Sequence, residues 1–330
     1  MGLRDVNTGG SDSRGMEGDV WGSYPLGYEK VGKLEWSEVS GEGDEDYNIG
    51  FYYFEKLIYE LTDGDYQAFI SILSAFILFS YLRFIKKYSP SPIQSVLYFL
   101  GLMYYSFMFD ALKQAMAMSV LLYSFDAIIE KKPLKYIFVV LVAAQFHFPA
   151  LVFLPAYWIG RINIGKNYLI FLAVLLVMTY IFRDQLLDLM LSAYGEEKAD
   201  VSMEGIRFLR NKALVMIVIV VVAVVLRPPV EDDYVYNASL MFAGVAIVFQ
   251  TFCGYNNIFE RLADYYFHTS IILIPLVFEK IKQEKYLINP GTAIKIKSVA
   301  PWLFCAFAVW RFLSTVNNSP IFMTYDFLWK

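Results

Sequence analysis

The sequence is poor in cysteine and histidine, which limits the chemistry it can support. Its 330 residues include two cysteines and two histidines. This count rules out a disulfide framework, and both Cys253 and Cys305 lie in apolar runs, as packed thiols do. Because no His-rich or Cys-rich spacing occurs either, neither a metal site nor a cofactor is expected.

Charged residues are also scarce, and this points away from a soluble protein. They make up 18% of the chain, against 57% hydrophobic residues and a mean hydropathy of +0.45. In soluble domains about a quarter of the residues are charged. No basic tract is interleaved with aromatic residues, so no nucleic-acid partner is expected. The composition predicts a protein whose solvent is largely lipid.

Several catalytic and transport signatures are missing. The sequence contains no phosphate-binding loop, which excludes ATP-driven transport by this chain alone. It has no Gly-x-Ser-x-Gly nucleophile elbow. No pair of inverted repeats of the kind found in secondary transporters is evident.

Long apolar runs predict an all-α fold, a polytopic membrane helix bundle with about eight spans. Residues 1–65 are polar, Gly-rich and acidic, and are interpreted as an extracytoplasmic segment preceding a transmembrane domain at 66–330. Because no signal peptide precedes this segment, an upstream helix is expected to deliver it. The predicted spans are 66–84, 93–109, 111–129, 167–182, 213–226, 235–254, 264–279 and 298–315.

Basic loops orient these spans. The positive-inside rule assigns loops 83–87, 131–135, 161–166 and 280–297 to the cytoplasm. Residues 1–65, an outer loop at 184–212, the short loop 255–263 and the C-terminal tail are then outside.

The run 136–159 conflicts with that assignment, because basic loops flank it on both sides. Two half-helices of about 11 residues, meeting near His147, would return the chain to its starting side as a re-entrant hairpin. The alternative is one helix kinked at Pro149 and Pro155, with the 161–166 loop outside.

Four stretches give the chain a resemblance to a known family. They are "LRDVNTGGSDSRGM" at 3–16, "FDALKQAMAMSVLLYSFDAIIEKKPLKYIF" at 109–138, "LVAAQFHFPALVFLPAYW" at 141–158 and "FERLADYYFHTSIILIP" at 259–275. Together with the tail "SPIFMTYDF" at 319–327, they resemble the EpsG family of Wzy-type polysaccharide polymerases. The family pattern has Arg-Gln in the second stretch, where this chain has Lys113-Gln114. This change keeps a charge but loses the planar fork of a guanidinium.

The resemblance implies a metal-independent glycosyltransferase, multi-pass in the bacterial inner (cytoplasmic) membrane. Such an enzyme would act on its outer face, joining repeat units carried on polyprenyl pyrophosphate into a capsule, exopolysaccharide or O-antigen. The implied partners are the lipid-linked oligosaccharide, membrane lipid, a chain-length regulator and a flippase.

This chemistry needs cations for the departing pyrophosphate and a base for the acceptor hydroxyl. Lys113 and Arg261 are the catalytic cation candidates, and Arg4, Gln114, Arg207 and Arg210 are the substrate-binding candidates. Four of these have a structural alternative. Lys113 could pair with Asp110 or extend to the interface, Arg261 could pair with its acidic neighbours, and Arg207 and Arg210 could line a solvated helix face.

His147 and Asp12 are the candidate bases. His147 lies where the apparent half-helices meet and within the family-like stretch, although an isolated histidine in an apolar run is often structural. Asp12 belongs to a Gly-x-Asp-like stretch, and its alternative role is in a Gly-rich turn.

Three other functions compete with the polymerase. A glycan flippase or other secondary transporter would place charges along a midplane path, whereas the charges here gather on one predicted side. A ligase using the same lipid carrier differs from a polymerase only through the family likeness. A structural scaffold would not need His147 and Lys113 at membrane depth.

Overall fold

The computed structural model is helical wherever it describes the chain, and the described residues contain no strand. They are 23–42, 48–102, 104–105, 111–162, 167–186, 211–226, 233–253, 258–280 and 290–318. The helices, numbered α1 to α14 in chain order, are Ser23–Gly32, Val39–Glu42, Ile49–Leu61, Tyr66–Tyr88, Pro92–Gly101, Leu112–Ile129, Pro133–Phe146, Ala156–Ile159, Tyr168–Ile181, Asn211–Leu226, Tyr234–Gln250, Ile258–Phe267, Ser270–Lys280 and Pro290–Asn318.

The chain divides into two compact units. The first comprises Met1–Leu151 and Trp302–Lys330, and the second comprises Val152–Pro301. Each unit is therefore described separately below.

Helices α6 and α7 form an antiparallel hairpin at the centre of the first unit. Their connection is short because Lys131 adopts a left-handed φ of 60° and the N–H of Lys132 bonds the carbonyl of Ala127 at 2.9 Å, which ends α6. Pro133 then begins α7, a position where its missing N–H costs nothing. The start of α6 and the end of α7 consequently lie at the same end of the hairpin.

Helix α4 packs against α6, and the two are tied together near their C-termini. Asp126 of α6 is 4% exposed and accepts from Arg83 and Lys87 of α4, the latter at 2.9 Å. Tyr88 also donates to this carboxylate. The α4 helix begins at the opposite end, where the side chain of Asp65 caps the free N–H groups of its first turn.

This arrangement gathers basic residues at one end of the first unit. The cations belong to the last turns of α4, to the α6–α7 connection and to the first turn of α7. They are Arg83, Lys86, Lys87, Lys131, Lys132 and Lys135.

Helix α3 lies within the segment that the sequence predicts to be polar and extracytoplasmic. It packs against α1, α2, α4 and α7. A Cβ on Gly50 would meet the Gln145 side chain, so the first turn of α3 approaches α7 at a distance that only glycine allows. The first turn of α3 is thereby fixed beside the end of α7.

The predicted break near His147 is present. Helix α7 ends at Phe146, and His147 is extended, with φ −154° and ψ 106°. A 3₁₀ helix at Phe148–Phe153 and the single turn of α8 follow, so the second half is two short pieces instead of one half-helix. Pro149 cannot continue an α-helix, because it lacks an N–H and its ring would clash with the preceding turn. Whether the chain then returns to its starting side stays a prediction.

In the second unit, α11 and α12 pack closely around aromatic side chains. Tyr266 contacts the rings of Phe153, Phe242 and Phe249, and its hydroxyl donates to the carbonyl of Val152 at 2.7 Å. The predicted span 264–279 is divided between α12 and α13, with a break at His268 and Thr269.

Each predicted span overlaps a helix within the described residues, although α5 ends at Gly101 inside the span 93–109 and the span 264–279 is broken. Among these helices, Tyr66–Tyr88 and Leu112–Ile129 are long and apolar enough to cross a membrane. The shorter apolar helices are Pro133–Phe146, Phe148–Ile159, Tyr168–Ile181, Ala213–Leu226, Tyr234–Gln250 and Ser298–Ser314. The predicted count of about eight spans stays a prediction.

Candidate functional site

Lys113 lies in the first turn of α6, and its ammonium group is held by aromatic residues of α3. Its Nζ donates to the hydroxyl of Tyr52 at 2.8 Å. The same nitrogen lies 4.4 Å from the centre of the Tyr52 ring and 5.7 Å from that of Phe51. Lys113 is half-buried. A partly desolvated ammonium in a fixed position is suited to binding a phosphate oxygen as a point charge.

Glu55 adds a buried carboxyl group to this site. It lies one turn beyond Tyr52 on the same face of α3 and is 2% exposed. Burial raises the pKa of Glu55 to about 8, although the nearby Lys113 ammonium pulls it down. Helix α3 is not among the candidate membrane spans. With a pKa of about 8, the Glu55 carboxyl is mostly protonated and neutral at pH 7.

Asn48 connects the start of α3 to the helix break at His147. Its side-chain Oδ1 accepts from the N–H of Phe148 at 2.9 Å, and the residue is 7% exposed. The N–H of His147 bonds to Ala143 and its carbonyl accepts from Ala150, so the backbone on both sides of the imidazole is fixed. The His147 side chain is half-buried. The histidine is thus held at the end of α7 with part of its ring exposed.

One face of α3 consequently contacts both predicted functional positions of the first unit. Asn48, Tyr52 and Glu55 follow the i, i+4, i+7 spacing of a helical stripe, which we call the α3 polar stripe. Asn48 holds the backbone beside His147, and Tyr52 holds Lys113. Both positions lie at the end of the α6–α7 hairpin opposite the basic cluster.

Gln114 and Arg261 differ from the prediction in their surroundings. Gln114 is 1% exposed inside the first unit, so a direct contact with substrate is a weaker interpretation for this residue. The prediction that Arg261 lies in a loop is wrong: it is in the first turn of α12, with its side chain exposed. Phe259 and Leu262 are buried on the opposite face, and this amphipathic pattern extends the helix back to Ile258.

Four predicted site residues lie outside the described residues. They are Arg4, Asp12, Arg207 and Arg210. Asp110, the alternative partner of Lys113, is also outside them. Within the described ranges, no group of three or more His, Cys, Asp or Glu side chains could hold a metal ion.

The α3 polar stripe is not predicted from the sequence, because it lies outside the apolar runs that predict the membrane helices. Its signal is present in "NIGFYYFEKLIYEL" at 48–61, where polar and aromatic residues recur every three or four positions. The contact between Tyr52 and Lys113 spans 61 residues, so no local pattern could indicate it.

The comparisons with known proteins include a match to a family model. The model of the EpsG family matches residues 14–325, nearly the whole chain. No curated protein and no solved structure matches.

Proposed function

Because this chain belongs to the EpsG family of Wzy-like polymerases, we propose that it is a membrane glycosyltransferase that polymerises lipid-linked sugar repeat units. The growing glycan, carried on polyprenyl diphosphate, is the donor. A second lipid-linked repeat unit is the acceptor. The reaction takes place on the outer face of the cytoplasmic membrane.

The observation that carries this proposal is the placement of Lys113 beside the α3 polar stripe. Its ammonium group is held half-buried against Tyr52, at the end of the hairpin that also contains the break at His147. The basic cluster at the opposite end supports an orientation with that end in the cytoplasm. This orientation directs Lys113 and His147 to the outer face.

The chemistry follows from these groups. The bond between the donor's anomeric carbon and the diphosphate oxygen breaks, and the acceptor hydroxyl oxygen forms a new bond to that carbon. The electron pair leaves with the diphosphate, whose growing charge Lys113 stabilises. His147 accepts the proton that the acceptor hydroxyl loses. Arg261 of the second unit is a further candidate cation.

Substitution of the three candidate residues tests the site. In cells that depend on this protein, Lys113→Ala, His147→Ala and Arg261→Ala should each abolish long polymer while protein abundance stays near normal. Lys113→Arg should retain polymer, because the charge persists. The matched control is Lys86→Ala, which removes an exposed cation from the opposite end of the first unit. Full-length polymer in all three alanine variants would refute the site.

A reconstituted reaction separates a polymerase from a flippase. The purified full-length protein in nanodiscs should convert lipid-linked repeat units into longer lipid-linked chains without other proteins. A flippase would leave their length unchanged, and a ligase would require a different acceptor.

A further inference from the structure

Glu55 is a buried ionisable residue to which the chemistry above gives no role. It is 2% exposed, yet it lies beside the cation to which we assign the donor diphosphate. A carboxyl buried at this depth has little access to a sugar hydroxyl, so it is a poor candidate for a base that touches the substrate. Any effect of Glu55 on the reaction must therefore pass through its neighbours.

The neighbouring groups identify Lys113 as the residue through which Glu55 acts. Among the described residues, Lys113 is the charged group that lowers the pKa of Glu55 against the effect of burial. Tyr28 of α1 faces the carboxyl, and burial is the main cause of its raised pKa, to which Glu55 adds. Other titratable groups on α3, or on the elements packed against it, include Tyr52, Tyr53, Lys56, Tyr59, Glu60, Glu29 and Lys30 of α1, Glu38 before α2, Asp65 and Tyr66 at the start of α4, and His147 after α7.

Lys56 bonds to groups other than Glu55, so it is not the cation that interacts with the Glu55 carboxyl. Its Nζ donates to the carbonyl of Gly32 at 3.0 Å and pairs with Glu60 at 2.9 Å. Lys56 therefore ties α3 to α1, and the Glu55 carboxyl interacts chiefly with Lys113.

A buried carboxylate and a bound diphosphate would place two anionic groups beside one ammonium group. When Glu55 is ionised, its charge and that of the ligand repel each other in surroundings with little water. When Glu55 is protonated, this repulsion is absent. Binding of an anion at Lys113 must consequently favour protonation of Glu55, and by reciprocity protonation must favour binding.

We propose that Glu55 is a positioning residue for the Lys113 anion site. The Glu55 carboxyl is protonated while a polyprenyl diphosphate is bound. When it is ionised, it competes with the diphosphate for the Lys113 ammonium group. This inference rests on the proposed function, since it assumes that the ligand of Lys113 is a lipid-linked diphosphate. The proton is taken from water on binding and returned to water on release. Above pH 8, where Glu55 is mostly ionised in the unliganded site, the carboxylate that re-forms beside Lys113 assists release of the diphosphate product.

The experiment measures the pH dependence of diphosphate binding. Farnesyl diphosphate is titrated into the full-length protein in nanodiscs of neutral lipid at pH 7, 8 and 9, with farnesol as the uncharged control. The last ionisation of a phosphoryl group is near pH 6, so the probe keeps an almost constant charge over this range. With the pKa of Glu55 at about 8, the dissociation constant should rise about tenfold from pH 7 to pH 9.

Two variants make the test specific. Glu55→Gln should bind at pH 7 about as tightly as the unchanged protein, and its affinity should vary little up to pH 9. Any pH dependence that does not arise from Glu55 would persist in Glu55→Gln and is therefore separated from that of Glu55. Glu60→Gln, on the exposed side of the same helix, should keep the unchanged protein's pH dependence.

The outcomes distinguish this inference from the proposed function. If farnesyl diphosphate binds and Glu55→Gln shows the same pH dependence as the unchanged protein, the role of Glu55 is refuted while the anion site stands. If the probe binds no better than farnesol at any pH, both the anion site and the inference fail. A thermal melt of Glu55→Gln, with a midpoint no lower than that of the unchanged protein, confirms that the variant is folded.

Discussion

The close approach of α3 to α7 at Gly50 gives a sharp test of the site's architecture. A Cβ at this position would lie 2.6 Å from the Cβ of Gln145 and 3.0 Å from its carbonyl oxygen, whereas ordinary contacts are 3.4–4 Å. Neither atom can move away by a side-chain rotation, because one belongs to the backbone and the other is attached directly to it. In Gly50→Ala the two helices must therefore separate by about 1 Å.

The effect of Gly50→Ala on the free energy of unfolding is the sum of two opposing contributions. Overpacking of this kind costs about 1–3 kcal/mol, while replacing a helical glycine by alanine gains up to about 1 kcal/mol. The net effect should be destabilising, and the shift of α3 would displace Tyr52, whose hydroxyl accepts from Lys113 at 2.8 Å. We expect Gly50→Ala to lower both the unfolding temperature and the yield of long polymer.

Gly27 of α1 provides the matched control, since a Cβ there would meet nothing within 4 Å. Gly27→Ala should raise the stability by about 0.5–1 kcal/mol and leave polymer length unchanged. Thermal unfolding of both variants in the same detergent, followed by gel analysis of the polysaccharide, makes the comparison. A Gly50→Ala protein as stable and as active as Gly27→Ala would refute the packing of α3 on α7.

The other contacts of the first unit give two further predictions. Asn48→Ala leaves the N–H of Phe148 without its acceptor, at a cost of about 1–3 kcal/mol in stability, and should reduce polymerisation. Asn48→Asp keeps an acceptor and should retain more activity. An equal loss of activity in both variants would contradict the role of this contact. Asp126→Asn leaves the cations of α4 without their counter-charge and should lower the unfolding temperature by an amount equivalent to about 1–3 kcal/mol, since those cations are partly exposed. The ion pairs of Glu130 lie on the surface, so Glu130→Gln should leave the unfolding temperature unchanged. Equal unfolding temperatures for the two variants would exclude a special role for Asp126.

The sequence predicts the helices of this protein well because apolar runs and proline positions act locally. The predicted runs at 66–84 and 111–129 correspond to Tyr66–Tyr88 and Leu112–Ile129. The break near His147 was also predictable, since Pro149 and Pro155 prevent one continuous helix. The sequence does not predict the 3₁₀ form of the second half, the division of the span 264–279, or the helices α1 to α3 in the polar segment.

The candidate site could be predicted only in part. Lys113 and His147 are identifiable from their isolation in apolar surroundings and from the family resemblance. Glu55 and Asn48 are not, because their roles depend on contacts across long stretches of chain. Burial of Glu55 in particular results from the packing of α3, which no local pattern in the sequence determines.

The bond between Asn48 and Phe148 also constrains how the protein is made. The two residues are 100 positions apart, and α4, α5, α6 and α7 are all synthesised between them. Asn48 is therefore synthesised well before its donor, and its side chain can bond to Phe148 only after α7 has been made. A nascent chain arrested before Phe148 lacks this bond across the helix break.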